Sequence, residues 1–300
     1  MRQTPGGRGV WDNIQFTTDA VEDCDFLIML NNVMKTETRA RCPKENVWAI
    51  MQEPYMKGHS DWMVEKHEFF ARVFTHYIPS NDGKYVSSQP AVPWHVDKTF
   101  DELISAGIPS KSKQLSAIVG ESMDLPGHVK RRQFLDRITG HQDLKLDLYG
   151  RGINFIEDKW DALAPYRYSL AIENTSCPDY WTEKIADCFL SWTVPIYYGC
   201  MNIEDYFPEG SFHRIDIEQP EESLREIKRI VNGADWERYI PALEEARNLV
   251  LYRYQIFPYV SEMIHSQSGR YNEKISLTIP AYRRSLKARI NHVGYTLKKK

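Results

Sequence analysis

Several features that mark membrane-spanning or secreted proteins are missing from this sequence. It contains no run of about eighteen apolar residues, the length that a helix needs to cross a bilayer. Residues 1–10 hold Pro5 and three glycines instead of the apolar segment of a secretory signal. The sequence therefore predicts neither a membrane span nor a signal peptide, and we expect a cytoplasmic protein.

Cysteine is scarce and irregularly spaced. The chain has five cysteines, an odd number, and none forms a C-x-x-C pair. This argues against a disulfide framework or a zinc site and favours a reducing compartment. Asp23-Cys24-Asp25 has the spacing of a D-x-D metal motif, but an apolar run follows it directly, and we interpret it as a loop.

The chain also lacks an excess of positive charge. It has 38 Lys and Arg against 41 Asp and Glu, which gives no whole-chain reason to expect nucleic acid as a partner. Its hydrophobic content of 42% and charged content of 26% are typical of globular proteins. A length of 300 residues is enough for two domains, each with its own core.

What the chain does contain is a clear strand, loop, helix and strand pattern over residues 166–198. Residues 168–172 and 194–198 are short apolar runs of strand formers. Between them, a turn-rich loop precedes apolar residues at helical spacing, with Asp179 or Thr182 available to cap the helix. This βαβ unit predicts a parallel sheet.

A ligand site is predicted where the first of these strands ends. Ligands of such sheets bind beyond the carboxyl ends of the strands, where Asn174 lies. The next helix directs free N–H groups to that place, which suits a diphosphate, and Lys184 adds a full charge. The helix side with Tyr180, Glu183, Lys184 and Asp187 is either a binding surface or an ordinary solvated face.

The order of residues in this stretch is similar to a known motif. Glu173-Asn174 followed by the run Asp-Tyr-Trp-Thr-Glu-Lys at 179–184 resembles the donor-binding signature of the α-1,3/1,4-fucosyltransferases, glycosyltransferase family 10. The runs 194–199 and 205–212 also match the family in order and spacing. The departures, Ile172 for Phe and Trp181 for Val or Ile, keep the apolar character.

The resemblance implies an α/β protein of the GT-B fold, with two Rossmann-like domains that face each other across a cleft. It implies inverting transfer of L-fucose from GDP-β-L-fucose to a GlcNAc- or Glc-containing glycan. Animal members of the family have an N-terminal transmembrane helix, so this chain looks like a bacterial-like or viral-like soluble form or a truncated one. Two other classes stay open: a GT-B transferase that uses another GDP-sugar, and a non-catalytic glycan- or membrane-binding homologue.

The resemblance also implies which residues bind the donor. Asn174, Tyr180 and Glu183 would hold the ribose, the fucose or the phosphates. Lys184 and a second cation would stabilise the leaving diphosphate, so that no metal or other cofactor is required. Arg151, which follows a predicted strand, is a second-rank donor contact.

The second cation comes from a predicted helix over residues 128–138. Lys130, Arg131 and Arg132 lie in its expected first turn, where the helix dipole disfavours cations. A bound anion would remove that conflict, although exposed cations are also simply tolerated there. The family places a donor-contacting arginine at this position, and the match is Arg131.

Glu53 is the predicted catalytic base. It ends the predicted strand 47–51, and Pro54 stops the strand directly after it. The family's proposed base lies in a Glu-Ser-Pro or Glu-Asn-Glu-Ser-Pro stretch, whereas this chain has Glu-Pro-Tyr. Glu53 would accept the acceptor's proton; the alternative is a surface residue. His95 and His76 are candidate acceptor contacts, with packed or surface histidines as the alternative.

Turn-rich residues 109–113 predict a domain boundary. We expect an acceptor-side domain at 1–112, a GDP-fucose-binding domain at 113–268 and a basic helical tail at 269–300. No acidic residue follows Glu273, and apolar residues recur in the tail at helical spacing. The tail helix either lies on anionic lipid at the inner face of a membrane or packs its apolar stripe on the protein.

Overall fold

The computed structural model describes residues 1–299 apart from residues 124, 142, 234, 268 and 270. The strands are β1 (Val10–Trp11), β2 (Ile14–Gln15), β3 (Leu27–Leu30), β4 (Thr38–Cys42), β5 (Val47–Ile50), β6 (Arg72–Thr75), β7 (Tyr85–Ser87), β8 (Lys113–Ile118), β9 (Asp147–Tyr149), β10 (Tyr166–Ile172), β11 (Val194–Tyr198), β12 (His213–Arg214) and β13 (Ile275–Ile279). The α-helices are α1 (Phe100–Ser105), α2 (Pro126–Thr139), α3 (Glu183–Leu190), α4 (Pro220–Val231), α5 (Ile240–Leu249), α6 (Ile256–His265) and α7 (Leu286–Lys299).

These elements form two compact units, each made of separate chain segments. The larger unit contains Met1–Thr17 and Val92–Met263, and the smaller unit contains Thr18–Ala91 and the chain from Ile264 onward. The predicted boundary after residue 112 thus falls inside the larger unit. The reason is that residues 92–112 contribute buried side chains to the larger unit's core, among them Trp94 and Leu103.

The larger unit is built on a five-stranded sheet in the order β12-β11-β10-β8-β9. All four strand pairings are parallel, and Tyr168 of β10 lies opposite Val194 of β11. Almost every residue of β10 is buried, as expected for a central strand of a parallel sheet with both faces covered. The predicted βαβ unit is therefore confirmed as β10, α3 and β11.

The smaller unit has its own parallel sheet, in the order β3-β5-β6-β7. Its central strand β5 is buried along its whole length. A separate antiparallel pair joins β4 to β13 from the C-terminal segment. Two α/β units with parallel sheets are what the predicted GT-B class requires.

Apolar residues at helical spacing predict a helix over residues 62–71, and this prediction is wrong. The chain there forms two short 3-10 turns, Asp61–Val64 and His67–Phe69. Lys66 between them has a φ of 61°, a left-handed conformation that interrupts any continuous α-helix. Local hydrophobic spacing suggested a helix, but the backbone at Lys66 divides the segment.

The basic tail is partly strand and partly helix, and its helix does not bury its apolar stripe. Ala288 is buried, and Asn291 Nδ2 donates to Asp61 Oδ2 at 3.0 Å, so one face of α7 is fixed to the smaller unit. The apolar stripe on α7 is 57–75% exposed and comprises Leu286, Ile290 and Val293. The packed alternative is therefore excluded for these three side chains, while Lys300 lies outside the described residues. In the part of the chain that the structure describes, no helix is both long enough and apolar enough to cross a membrane.

Candidate active site

Glu173 joins the end of β10 to the start of α3. Its carboxylate is fully buried and accepts hydrogen bonds from Thr182 N and Thr182 Oγ1, each at 2.8 Å. Lys184 Nζ lies 3.0 Å from its other oxygen. A Cβ on Gly199, which follows β11, would lie 2.5 Å from Glu173 Cγ, so only glycine leaves room for this carboxylate. Glu173 thus fixes the first turn of α3 relative to the sheet.

Thr182, one of the two predicted caps, is the N-cap of α3, and its hydroxyl accepts from Lys184 N. Asp179, the other predicted cap, instead orders the preceding loop. Its Oδ1 accepts from Tyr206 Oη at 2.7 Å and from Asn202 Nδ2 at 2.9 Å. The loop between β10 and α3 is therefore held at both ends by buried or half-buried polar contacts.

Arg131 reaches the same place from α2. Its Nη1 donates to Asn174 Oδ1 at 2.9 Å and lies 3.3 Å from the Ile172 carbonyl oxygen. Its neighbours turn outward: Lys130 pairs with Glu218 and Arg132 with Asp136. Of the three predicted cations, the structure brings Arg131 alone to Asn174.

The helix that carries these cations starts earlier than predicted. α2 begins at Pro126, a residue favoured at the first helical position, so residues 130–132 lie in its second turn. A Cβ on Gly127 would lie 1.6 Å from the Asn174 carbonyl oxygen. Glycine at this position therefore lets the first turn of α2 lie directly against the end of β10.

Arg131 is a buried cation with neutral partners. Only 6% of the residue is exposed, and both oxygens that it contacts are uncharged. Its Nε has no hydrogen-bond partner among the residues that the structure describes. Burial lowers the pKa of its guanidinium, against the attraction of Glu173 and Glu183. A buried charge without an ionic partner is costly, and a bound anion would compensate it.

The predicted binding side of α3 is mostly buried rather than solvated. Tyr180 is 2% and Asp187 is 1% exposed. Lys159, from a 3-10 turn before β10, places its Nζ 3.2 Å from both Glu183 Oε1 and Asp187 Oδ2. His95 Nδ1 lies 3.6 Å from Glu183 Oε1. The solvated-face interpretation is therefore wrong for Tyr180 and Asp187.

The charges in this cluster set each other's protonation. Burial alone would raise the pKa of Glu183, but Lys184 and Lys159 outweigh it and hold that pKa well below its usual range. Burial would lower the pKa of Lys184, but Glu173 and Glu183 raise it. Burial lowers the pKa of His95. At neutral pH, Glu183 is therefore ionised and His95 is neutral.

The remaining predicted residues, apart from His95, belong to other parts of the chain. Glu53 is exposed, three residues beyond β5 in the smaller unit, and His76 follows β6, the neighbouring parallel strand. His76 Nε2 accepts from Tyr55 N at 3.3 Å, so the segment after β5 is linked to the end of β6. His95 belongs to the larger unit, beside Glu183. Arg151 is exposed after β9, the edge strand two places from β10.

The sequence gives no individual role to Glu173 or Asp187 and no role at all to Lys159. Glu173 had a usable signal, since it directly precedes Asn174 at the end of an apolar strand. Asp187 was placed on the correct helix side, but nothing local showed that it would be buried. Lys159 lies 24 residues before Glu183, outside any recognisable motif. Among the described residues, no group of three or more His, Cys, Asp or Glu side chains could hold a metal ion.

Comparisons with known proteins match the segment that holds this site. Residues 108–240 match the model of the C-terminal part of glycosyltransferase family 10 (fucosyltransferase). The GDP-fucose protein O-fucosyltransferase 3 of Danio rerio is 35% identical over 89 residues, or 29% of this chain and 19% of that protein. The α-(1,3)-fucosyltransferase FucT of Helicobacter pylori is 34% identical over 95 residues, or 31% of this chain and 19% of that protein.

A solved structure also aligns with this chain. A crystal structure of an α1,3-fucosyltransferase with GDP has a TM-score of 0.49 and 16% sequence identity, over 87% of this chain and 82% of that chain. The chain spans about a fifth of the length of each of these two curated relatives. The family match contains Arg131, Asn174 and Lys184 but not Glu53. Residues 108–240 are therefore similar to the C-terminal part of glycosyltransferase family 10, a fucosyltransferase family, and this matched segment contains the predicted donor residues around Asn174.

Proposed function

We propose that this protein is an inverting fucosyltransferase that moves L-fucose from GDP-β-L-fucose to a hydroxyl of a GlcNAc- or Glc-containing glycan. The observation that carries the proposal is the buried guanidinium of Arg131, held against Asn174 by neutral contacts inside the family-10 segment. An anionic ligand at the carboxyl edge of the sheet would supply the missing negative charge. The diphosphate of a nucleotide sugar has the charge and size for that role.

The donor's leaving group gains charge as the glycosidic bond breaks. Arg131 and Lys184 would stabilise that charge with N–H groups already fixed in position by Asn174 and Glu173. Two fixed cations can take the part that a metal plays in other transferases, so we propose that no metal is needed. Glu183 and Tyr180 would orient the ribose or the fucose.

The acceptor hydroxyl needs a base. Glu53 is exposed beyond the carboxyl end of β5, the edge at which parallel sheets bind ligands, and we propose that it takes the acceptor proton. His76, at the end of the neighbouring strand, would contact the acceptor there. His95 would instead contact the donor's sugar, because it lies beside Glu183.

We also propose that the protein is cytoplasmic and touches the inner face of an anionic membrane through α7. The exposed stripe of Leu286, Ile290 and Val293 supports this, together with Lys287 and Arg289 on the same helix. An apolar stripe flanked by cations is the composition of helices that lie in a membrane interface.

Calorimetry with GDP and GDP-fucose in EDTA tests the donor site. Arg131→Met should weaken binding of both ligands about tenfold or more, because charge-assisted hydrogen bonds to the diphosphate are lost. Arg132→Met is the matched control, since its side chain pairs with Asp136 on the surface and should leave binding unchanged. Binding that appears only with Mg²⁺ or Mn²⁺ would contradict the proposed metal-free site.

A transfer assay on a glycan array then tests the reaction. Fucose transfer from GDP-fucose, but not from GDP-mannose, is the expected result. Transfer from a different GDP-sugar would identify a transferase with another donor. Donor or glycan binding without any transfer would favour a non-catalytic homologue, for which the shortened motif at Glu53 is the motivating feature.

A further inference from the structure

The ammonium group of Lys159 connects α3 to the 3-10 turn before β10, beside the proposed donor contacts. Lys159 Nζ lies 3.2 Å from Glu183 Oε1 and 3.2 Å from Asp187 Oδ2, two carboxylates one turn apart on α3. Because Lys159 belongs to the 3-10 turn Lys159–Ala162, it ties α3 to the chain that leads into β10. Only 2% of the Asp187 side chain is exposed, so one half of this bridge is fixed within the protein.

Asp187 connects a third segment to the same point. Its Oδ1 accepts from the backbone N–H of His95 at 2.8 Å. The imidazole Nδ1 of His95 then lies 3.4 Å from Lys159 Nζ and 3.6 Å from Glu183 Oε1. The His95 side chain is half exposed, so its imidazole lies at the surface beside the largely buried carboxylates of Glu183 and Asp187.

We infer that Lys159 is a positioning residue: anchored by Asp187, it fixes the Glu183 carboxylate in its orientation toward the donor and fixes the charge environment of the His95 imidazole beside it. The inference rests on the proposed donor binding, because Glu183 is its proposed ligand contact. Neither Lys159 nor Asp187 would touch the reacting atoms.

The surrounding charges make the effect of Lys159 predictable in sign. Glu183 faces Lys184, Lys159 and His95, with Arg131 also among its charged neighbours. Burial lowers the pKa of His95, Glu183 and Asp187 raise it, and Lys159 and Lys184 lower it further. Without Lys159, the pKa of His95 should therefore rise, and that of Glu183 should rise as well.

The first experiment follows the His95 imidazole by NMR titration in full-length protein. Lys159→Met should raise the pKa of His95, and Lys159→Arg should restore it. Asp187→Asn keeps an oxygen for the His95 N–H but removes a negative charge, so it should shift the pKa of His95 the opposite way. Lys98→Met is the matched control, because Lys98 pairs with the neighbouring Asp158 and should leave the titration unchanged. A His95 titration that is the same in Lys159→Met, Asp187→Asn and wild type would overturn the inference.

The second experiment measures GDP-fucose affinity from pH 8 down to the lowest pH at which the protein stays folded. Loss of affinity on acidification should begin at higher pH in Lys159→Met than in wild type, because Glu183 and the buried Asp187 both lose a neighbouring cation and take up a proton more readily. A purely structural role would lower affinity equally at every pH and would overturn the inference. If wild-type protein binds no GDP-fucose but the His95 shifts appear, the proposed function fails while the charge network stands.

Discussion

The ion pair between Lys184 and Glu173 allows stability and donor binding to be separated by mutation. Glu173 is fully buried, and Lys184 Nζ at 3.0 Å is its counter-ion. Removing one partner of a buried pair costs about 3–5 kcal/mol, because the other charge stays buried. Since about a fifth of the Lys184 side chain is exposed, we expect Lys184→Ala to cost about 2–4 kcal/mol.

A double-mutant cycle identifies the source of that cost. Glu173→Gln keeps an oxygen for Thr182 but removes the charge. The Lys184→Ala, Glu173→Gln double variant should therefore be more stable than Lys184→Ala, with a coupling energy of about 1–3 kcal/mol. In thermal unfolding, Lys184→Ala should lower Tm by roughly 5–15 °C, and the double variant should regain much of that loss.

GDP affinity should follow a different pattern from stability. Both variants that lack Lys184 should bind GDP about tenfold to a hundredfold more weakly, because a charge-assisted contact is missing. Glu173→Gln alone should bind GDP nearly as wild type does. Additive losses of stability would refute the buried pair, and wild-type GDP affinity in Lys184→Ala would refute the donor contact.

Four further outcomes are expected. Glu53→Gln should leave GDP-fucose affinity unchanged and cut transfer about 10²-fold or more, because it cannot accept the proton; a wild-type transfer rate would rule out Glu53 as the base. Burial lowers the pKa of His67 from 6.5 to about 4, so at pH values between these two the unfolded chain binds a proton at His67 and the folded chain does not. Unfolding free energy in urea should therefore fall by up to about 3 kcal/mol between pH 6.5 and 4, and His67→Gln should flatten that slope. Gly127→Ala should cost about 3 kcal/mol and weaken GDP binding through its backbone clash, whereas Gly140→Ala at the other end of α2 should do neither. Replacing three exposed apolar residues of α7 with serine should weaken adhesion to phosphatidylserine liposomes and leave GDP affinity unchanged; they are Leu286, Ile290 and Val293. Unchanged adhesion would exclude the membrane contact.

The order of strand, helix and strand around Asn174 could be predicted because its signals are local. The two apolar runs and the helical apolar spacing between them lie within about thirty residues, and the strand predicted over 194–198 has the bounds of β11. The position of Arg131 beside Asn174 came from the family resemblance. The structure adds the reason for its inward direction, which is that α2 packs against the end of β10 through Gly127.

The smaller unit could not be derived in the same way. β13 pairs with β4 more than two hundred residues earlier in the chain, and neither strand was predicted. The run Ile-Ser-Leu-Thr-Ile at 275–279 does alternate between apolar and polar residues, which is a strand signal. The basic residues and the helical apolar spacing of the tail predicted a helix over this region instead. The choice of partner strand depends on tertiary packing, which no local pattern encodes.

This pairing changes how the tail must be tested. Deleting residues 274–300 would remove β13, its buried Ile279 and the contacts of α7 with the smaller unit. Such a truncation should destabilise the smaller unit whether or not the tail touches lipid. Surface substitutions on α7 are therefore the informative perturbation, because they leave the strand pairing in place.

The contacts of Lys184 limit how it could meet a diphosphate. An ammonium group has three N–H donors. One points to Glu173 at 3.0 Å and a second to Thr182 Oγ1 at 3.0 Å, while Glu183 at 3.6 Å lies beyond hydrogen-bond distance. Among the described residues, this leaves one N–H in a fixed direction. Lys184 would therefore bind a phosphate oxygen without releasing Glu173, so that its stabilising and binding roles use different hydrogens of the same group.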